Sequence, residues 1–287
     1  MRFEVGCELE YTVQSPSTLI FNVHALRTPG QTVIEESLTL TPPLPYEEFV
    51  SATGESRFVR LATGTAPTLK VVYGARVDCE HHVVGAEHLD HVPVKKLDHA
   101  LVPFLFPSRY CQSDMLGRFA YRNFGQIQND YARVVAITDW IHDNVEYVLG
   151  STNAQTSAYD TITQGAGVCR DFAHLGIALC RALNIPARYF TGYAYQLEPP
   201  DFHACFEAFI GGRWMLFDAT RLAPLNGIVR IATGRDAADA SVATIFGNVQ
   251  CTRMQVKCEL VHDEDEPFRA ITRTDLGRAG VSLDVEP

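Results

Sequence analysis

From Phe3 to Val13 apolar and polar side chains alternate, with Phe3, Val5, Cys7, Leu9, Tyr11 and Val13 on one parity. A period of two puts these six on one face of a pleated strand, which predicts a half-buried β-strand. Strand-like runs recur at 18–26, 32–40, 58–61 and 69–77, separated by Pro16, Pro29-Gly30, the stretch from Pro42 to Pro45, and Gly64. Short strands punctuated by turn residues predict an antiparallel β-sandwich, and residues 1–85 are expected to form this first, β-rich domain. No residue set in it points to catalysis.

Residues 79–99 are polar and rich in histidine, and a linker is expected at 86–102. His81, His82, His88, His91 and His99 lie here, and Cys79 adds a soft donor. Their spacings match no zinc template, and solvated linker histidines explain the same letters, so no metal site is assigned.

Beyond Pro103 the period lengthens to about 3.6 residues, the signature of helix. Ser113 or Asp114 is placed to cap a short helix reaching Phe119. Asp130 is placed to cap a longer one with an apolar stripe of Val134, Ile137, Ile141 and Val145. A third helix starts close to Val168 and carries a stripe through Phe172, Leu175, Leu179, Cys180 and Leu183. It ends at Asn184-Ile185-Pro186, because proline disfavours helix in the residue before it. Strands are expected at 187–195, 203–210 and 213–218, with a late one at 251–260. Helices first and strands afterwards predict α+β packing rather than a Rossmann repeat. The catalytic domain is expected to span 103–262, followed by an acidic, mobile tail at 263–287. The run His262-Asp263-Glu264-Asp265-Glu266 invites a calcium reading but lacks the spaced ligands of an EF-hand.

Composition narrows the function classes. With 46% hydrophobic and 20% charged residues the 287-residue chain is that of an ordinary folded protein. No apolar run approaches the roughly 18 residues that span a bilayer, and the first residues lack a signal-peptide core, so the expected compartment is the cytoplasm. A net charge of -10 repels phosphate backbones and anionic headgroups, and no basic patch offsets it. Neither nucleic acid nor a membrane is an expected partner. The eight cysteines are dispersed with no CxxC, so they are read as thiols rather than a disulfide framework.

One of those thiols stands apart. Cys169 opens the third helix behind the turn Gly165-Ala166-Gly167-Val168, where the helix N-terminus contributes partial positive charge that favours a thiolate. Arg170 adds charge of the same sign, while the effect of Asp171 depends on where its carboxylate points. Downstream, Gly211-Gly212 suits a two-residue hairpin turn, which sets Ile210 opposite Arg213, Phe209 opposite Trp214 and Cys205 opposite Asp218. His203 then shares a sheet face with Cys205 and Asp218, and lies diagonal to Asp218 with backbones roughly 7 to 8 Å apart. A carboxylate there can accept the imidazole N–H, fix the tautomer and stabilise the imidazolium. A turn one residue longer would reverse the faces. Cys205 is the rival nucleophile, beside His203 but without a helix N-terminus. Cys180 and His174 fall on the helix as core or structural residues.

These residues resemble the transglutaminase-like superfamily of cysteine enzymes, with a papain-like Cys/His/Asp arrangement. The resemblance is carried by Gly167-Val168-Cys169-Arg170-Asp171-Phe172, by Ala182-Leu183-Asn184-Ile185-Pro186, by His203-Ala204, and by Trp214-Met215-Leu216-Phe217-Asp218. It implies Cys169 as nucleophile, His203 as general base and acid, and Asp218 as the orienting residue. It also implies an α+β core behind a β-rich N-terminal domain. The sequence departs from it at Cys205, where many relatives place tryptophan.

The oxyanion formed during attack needs donors. The Cys169 backbone N–H is the first choice, with Gln164 or Tyr147 as candidates for the second. The expected function is acyl transfer from a peptide or protein substrate through a thioester, with hydrolysis as first choice. Transamidation to an amine and a non-catalytic peptide-binding module are the alternatives. No cofactor is required, and a homo-oligomer is compatible with the sequence.

Overall fold

The computed structural model describes residues 1–54, 56–261 and 267–284. Its first part is strands: β1 (Arg2–Val13), β2 (Thr18–Phe21), β3 (Gln31–Thr41), β4 (Tyr46–Val50), β5 (Arg57–Ala62), β6 (Thr68–Cys79) and β7 (His82–Gly85). The second part places α1 (Ser113–Phe124), α2 (Asp130–Asn144), β8 (Glu146–Tyr147), α3 (Ala158–Gln164), β9 (Ala166–Gly167) and α4 (Cys169–Ala182) in that order. After them come β10 (Ala187–Ala194), β11 (Phe202–Ile210), β12 (Arg213–Phe217), β13 (Ile228–Gly234), β14 (Ala243–Phe246), β15 (Val249–Leu260) and β16 (Ala279–Ser282).

The alternation in β1 is realised: Phe3, Val5, Leu9 and Tyr11 are buried. Two four-stranded sheets, β15-β1-β6-β3 and β14-β2-β5-β4, form the N-terminal β-rich part. Their inward faces meet in a core where the rings of Tyr11 and Phe21 lie 5.7 Å apart. The six-stranded sheet β13-β10-β11-β12-β16-β7 carries α4 against its centre. Helix and sheet approach closely because residue 176 is glycine; a Cβ there would stand 2.5 Å from the Phe206 ring.

Three expectations about the chain's course are corrected. The late strand at 251–260 exists, as β15, but pairs antiparallel with β1, Val5 opposite Cys258, and so belongs to the N-terminal sheet rather than the catalytic one. Periodicity identifies a strand but not its partner. The segment that follows is not a mobile tail in its described part: β16 pairs with β12 and β7, and Leu276, Val281 and Leu283 are buried. The acidic run 262–266 lies outside the described residues. The linker is also partly built in, since His91 pairs with Asp130, and β7, expected within the 1–85 domain, is instead an edge strand of the catalytic sheet. Among the described residues none of the linker histidines gathers with two further ligand side chains.

What ties the returning C-terminus down is a charge network beneath the sheet. Glu207, fully buried, accepts from Arg188 Nε at 2.5 Å and from Arg230 Nη2 at 2.7 Å. Arg230 Nη1 donates to Asp284 at 2.6 Å and Arg188 Nη2 at 3.2 Å. Removing one partner from such a network strands buried charge. Glu207→Ala is therefore expected to lower unfolding free energy by about 3–5 kcal/mol, read as a fall in the urea midpoint at unchanged slope.

Candidate active site

Each element of the site is fixed by a local sequence feature. Gly211 and Gly212 take φ of 62° and 84°, the left-handed pair that a two-residue hairpin turn requires. The register follows as expected, Ile210 opposite Arg213 and Phe206 opposite Phe217. His203 and Asp218 then meet, Nε2 to Oδ2 at 2.8 Å, both buried. Thr220 locks the carboxylate from the other side, its backbone N–H donating to Asp218 Oδ1 at 2.9 Å and its hydroxyl at 2.7 Å.

Cys169 is the first residue of α4 and is half-buried. Asp171 does not aim at the thiol. Its Oδ2 accepts the Val168 N–H at 3.0 Å, capping the helix, and its Oδ1 accepts from Arg170 at 2.9 Å. Arg170 is thereby occupied in neutralising Asp171 rather than serving the sulfur. The cap needs glycine at 167, because a Cβ there would stand 2.8 Å from the Asp171 side chain. The parallel pairing of Tyr147 with Gly167 then sets the tyrosine beside Cys169.

The imidazole has a second nitrogen. With Nε2 held by Asp218, Nδ1 makes no hydrogen bond among the described residues, and the Cys169 side chain interacts with the ring. Nδ1 is thus the ring nitrogen left without a partner among the described residues. Burial opposes charge on His203, but the Asp218 carboxylate, the nearby Cys205 and the contact with Cys169 hold its pKa well above the usual imidazole value. Burial likewise opposes the Asp218 anion, and His203 and Thr220 reverse this to leave its pKa below the ordinary carboxylate value.

These shifts predict how stability depends on pH. A raised His203 pKa contributes stability that is complete below the unfolded value of about 6.5 and is lost as pH rises through the folded value. A lowered Asp218 pKa contributes stability that is complete above about 3.9 and is lost as pH falls through the folded value. The pair should therefore contribute most between about pH 4 and 6.5, and Asp218→Asn should flatten this part of the urea-midpoint profile.

Cys205 also approaches: one ligand atom each from His203, Cys205 and Asp218 lie within 4.8 Å of one another. This cluster contains the donor types of a soft metal site, but the carboxylate and Nε2 are already bonded to each other. The two thiols differ sharply in setting. Cys205 is 1% exposed, and burial pushes its pKa up to about 12, away from thiolate. Cys169 is at the helix start and accessible.

Of the two oxyanion candidates, the structure brings only Tyr147 to the sulfur. Its side chain interacts with both the backbone N–H and the thiol of Cys169, and burial, followed by the cysteine's charge, pushes its pKa up to about 12. It stays protonated and able to donate. Gln164 ends α3 on an exposed position with no hydrogen bond to Cys169 or His203 among the described residues. His174 is structural: it stacks on Tyr110 at 5.0 Å and accepts the Ala237 N–H at 3.1 Å. Cys180 is fully buried in the helix stripe. Asp201 also lies near the imidazole. Burial raises its pKa against the opposing charge of His203, yet nothing in Pro199-Pro200-Asp201 marks it beyond a turn.

Comparison with known proteins agrees with this architecture. Residues 1–100 match the bacterial transglutaminase N-terminal domain, and residues 118–219 match the transglutaminase-like superfamily. A candidate cysteine protease from Cytophaga hutchinsonii, known from its crystal structure, is 58% identical, with a TM-score of 0.94 over 99% of this chain and 98% of that one. An uncharacterized protein of Mycobacterium leprae is 24% identical over 278 residues, 90% of this chain and 98% of its own. An uncharacterized protein of Mycobacterium tuberculosis is 27% identical over 147 residues, 45% of this chain and 47% of its own. A β-rich N-terminal part, a helix-on-sheet core and a buried His-Asp pair beside two thiols thus coincide with both family matches, and the chain belongs to the transglutaminase-like superfamily.

Proposed function

We propose that this protein is a cysteine peptidase or amidase in which Cys169 is the nucleophile, His203 the general base and acid, and Asp218 the residue that orients it. The observation that carries the reading is the partition of the imidazole: Nε2 bonded to Asp218, Nδ1 unoccupied, and a helix-start thiol interacting with the ring.

The chemistry follows from that partition. Nδ1 accepts the Cys169 proton, and the sulfur attacks the carbonyl carbon of a peptide or amide. The negative charge moves to the carbonyl oxygen, where the Cys169 N–H and the Tyr147 hydroxyl are the donors at hand; one such donor is worth about 3–4 kcal/mol. The imidazolium, stabilised by Asp218, returns its proton to the departing amine as the C–N bond breaks and the thioester forms. Water then adds to the thioester carbonyl, His203 takes a proton from it, and collapse releases acid and restores the thiol. Two features favour Cys169 over Cys205 as nucleophile: its accessibility and its place at the helix N-terminus. The likeness to a candidate cysteine protease supports hydrolysis over transamidation.

Incubation with a peptide library, with and without a primary amine, tests the reading by mass spectrometry. Cleaved peptides are expected in both arms. Amine adducts on glutamine with no cleavage would replace the peptidase reading by a transglutaminase, and an unchanged library would remove both.

A further inference from the structure

Next to the His203-Asp218 pair lies a cavity of 370 Å³ whose wall includes Asp218 itself, together with Gln196, Arg221, Thr272 and Arg273. Its volume falls within the range of small-ligand sites. Part of the wall is the C-terminal segment that the catalytic sheet recaptures through β16. The segment therefore helps shape a pocket bounded by the residue that orients the base.

Two guanidinium groups in this wall share one carboxylate. Arg221 Nη2 donates to Asp139 Oδ1 at 2.6 Å, and Arg273 donates through Nε and Nη2 to the two Asp139 oxygens at 2.5 Å. Among the described residues no other carboxylate pairs with either arginine. The trio keeps one positive charge in excess. A guanidinium carries five N–H donors, so both arginines retain donors after serving Asp139. Asp218, the acidic residue among those lining the cavity, is already engaged: Oδ2 by His203 and Oδ1 by Thr220. Arg221 also holds φ at 60°, a left-handed conformation that is strained for a non-glycine residue. The turn that begins at Asp218 thus accepts strain to set this cation beside the carboxylate.

We propose that the cavity is a subsite for a carboxylate of the substrate, supplied either by an acidic side chain near the reacting bond or by the C-terminus of a short peptide. The inference rests on the peptidase reading for the presence of a substrate peptide, but binding at the subsite does not need turnover. The two can therefore fail separately.

The test uses the full chain carrying Cys169→Ala, titrated calorimetrically with peptide pairs that differ as Glu against Gln, each with a free and an amidated C-terminus. The acid form should bind about tenfold more tightly than its neutral counterpart. Arg221→Gln and Arg273→Gln should each remove most of that preference and leave the neutral peptide's Kd unchanged. Arg221, held to Asp139 by a single bond, is the variant with the smaller structural risk. Preference lost on amidation assigns the terminal carboxylate, whereas preference lost on Glu to Gln assigns a side chain. Equal affinity for all forms, no binding of any acid peptide, or a preference that survives both arginine changes overturns the subsite. In the enzyme with Cys169 intact the acid and neutral peptides should separate in KM, with kcat alike. Arginine-dependent binding without turnover would leave the subsite standing and the peptidase reading refuted. Cleavage of neutral and acidic peptides at equal kcat/KM would do the reverse.

Discussion

Changing Cys169 to alanine is expected to lower kcat for amide cleavage by at least about 10⁴-fold, while the protein stays folded. The size of the loss follows from the covalent step. Without the sulfur, His203 has no nucleophile to deprotonate except water, and the thioester route closes. What remains is binding and oxyanion stabilisation alone, which together supply only a small part of such a rate enhancement. The fold should tolerate the change because the side chain is half-buried at the first position of α4, and the cap that starts the helix comes from Asp171. Circular dichroism and the urea midpoint check folding alongside the rate. Cys205→Ala serves as the contrast, since a thiol held near a pKa of about 12 is not a nucleophile at neutral pH. Its expected effect on kcat is small. A large loss in Cys205→Ala with little in Cys169→Ala would exchange the roles of the two thiols.

Asp218→Asn should cost about 10³–10⁴-fold in kcat, through the tautomer rather than through lost packing. Asparagine has the shape of aspartate, but its two ends are no longer equivalent. Thr220 donates twice to the Oδ1 position, from its backbone N–H and its hydroxyl, so the asparagine oxygen must stay there. The amide NH₂ then takes the Oδ2 position and donates to His203 Nε2. That forces the ring proton onto Nδ1, the nitrogen that faces Cys169, where it can no longer accept the thiol proton. The variant should be inactive with its site geometry kept. Adding Thr220→Val removes the hydroxyl but leaves the residue-220 backbone N–H on the Oδ1 position, so the asparagine oxygen stays there and the double variant should be as inactive as Asp218→Asn alone.

The hairpin and helix α4 are readable because their signals are local. A Gly-Gly pair fixes turn length, turn length fixes register, and register decides which side chains share a face; His203 and Asp218 meet for that reason. The stripe along α4 and the stop before Pro186 are equally local. Tyr147 is only one of two candidates in the sequence, because its place beside Cys169 depends on the parallel pairing of β8 with β9, and two-residue strands leave no periodic trace. The orientation of Asp171 was undecidable for a similar reason: one carboxylate one turn into a helix serves either as a cap or as a neighbour of the thiol. Long-range partners were the hardest. The strand 249–260 reads as a strand in any setting, but nothing in its letters says that it crosses back to β1. The C-terminal segment looked mobile because it is acidic and poor in large apolar side chains. Its order comes from non-local pairings, Asp284 with two buried arginines and β16 with β12, which composition does not report.

The most direct test of the account is the identity of the atom that carries the acyl group. Acid quenching during turnover of a slow ester or peptide substrate, followed by proteolysis and mass mapping, should find one thioester, on Cys169, absent from Cys169→Ala and built up in Asp218→Asn only slowly. An acyl group on Cys205, or full turnover with no covalent adduct on any cysteine, would contradict it.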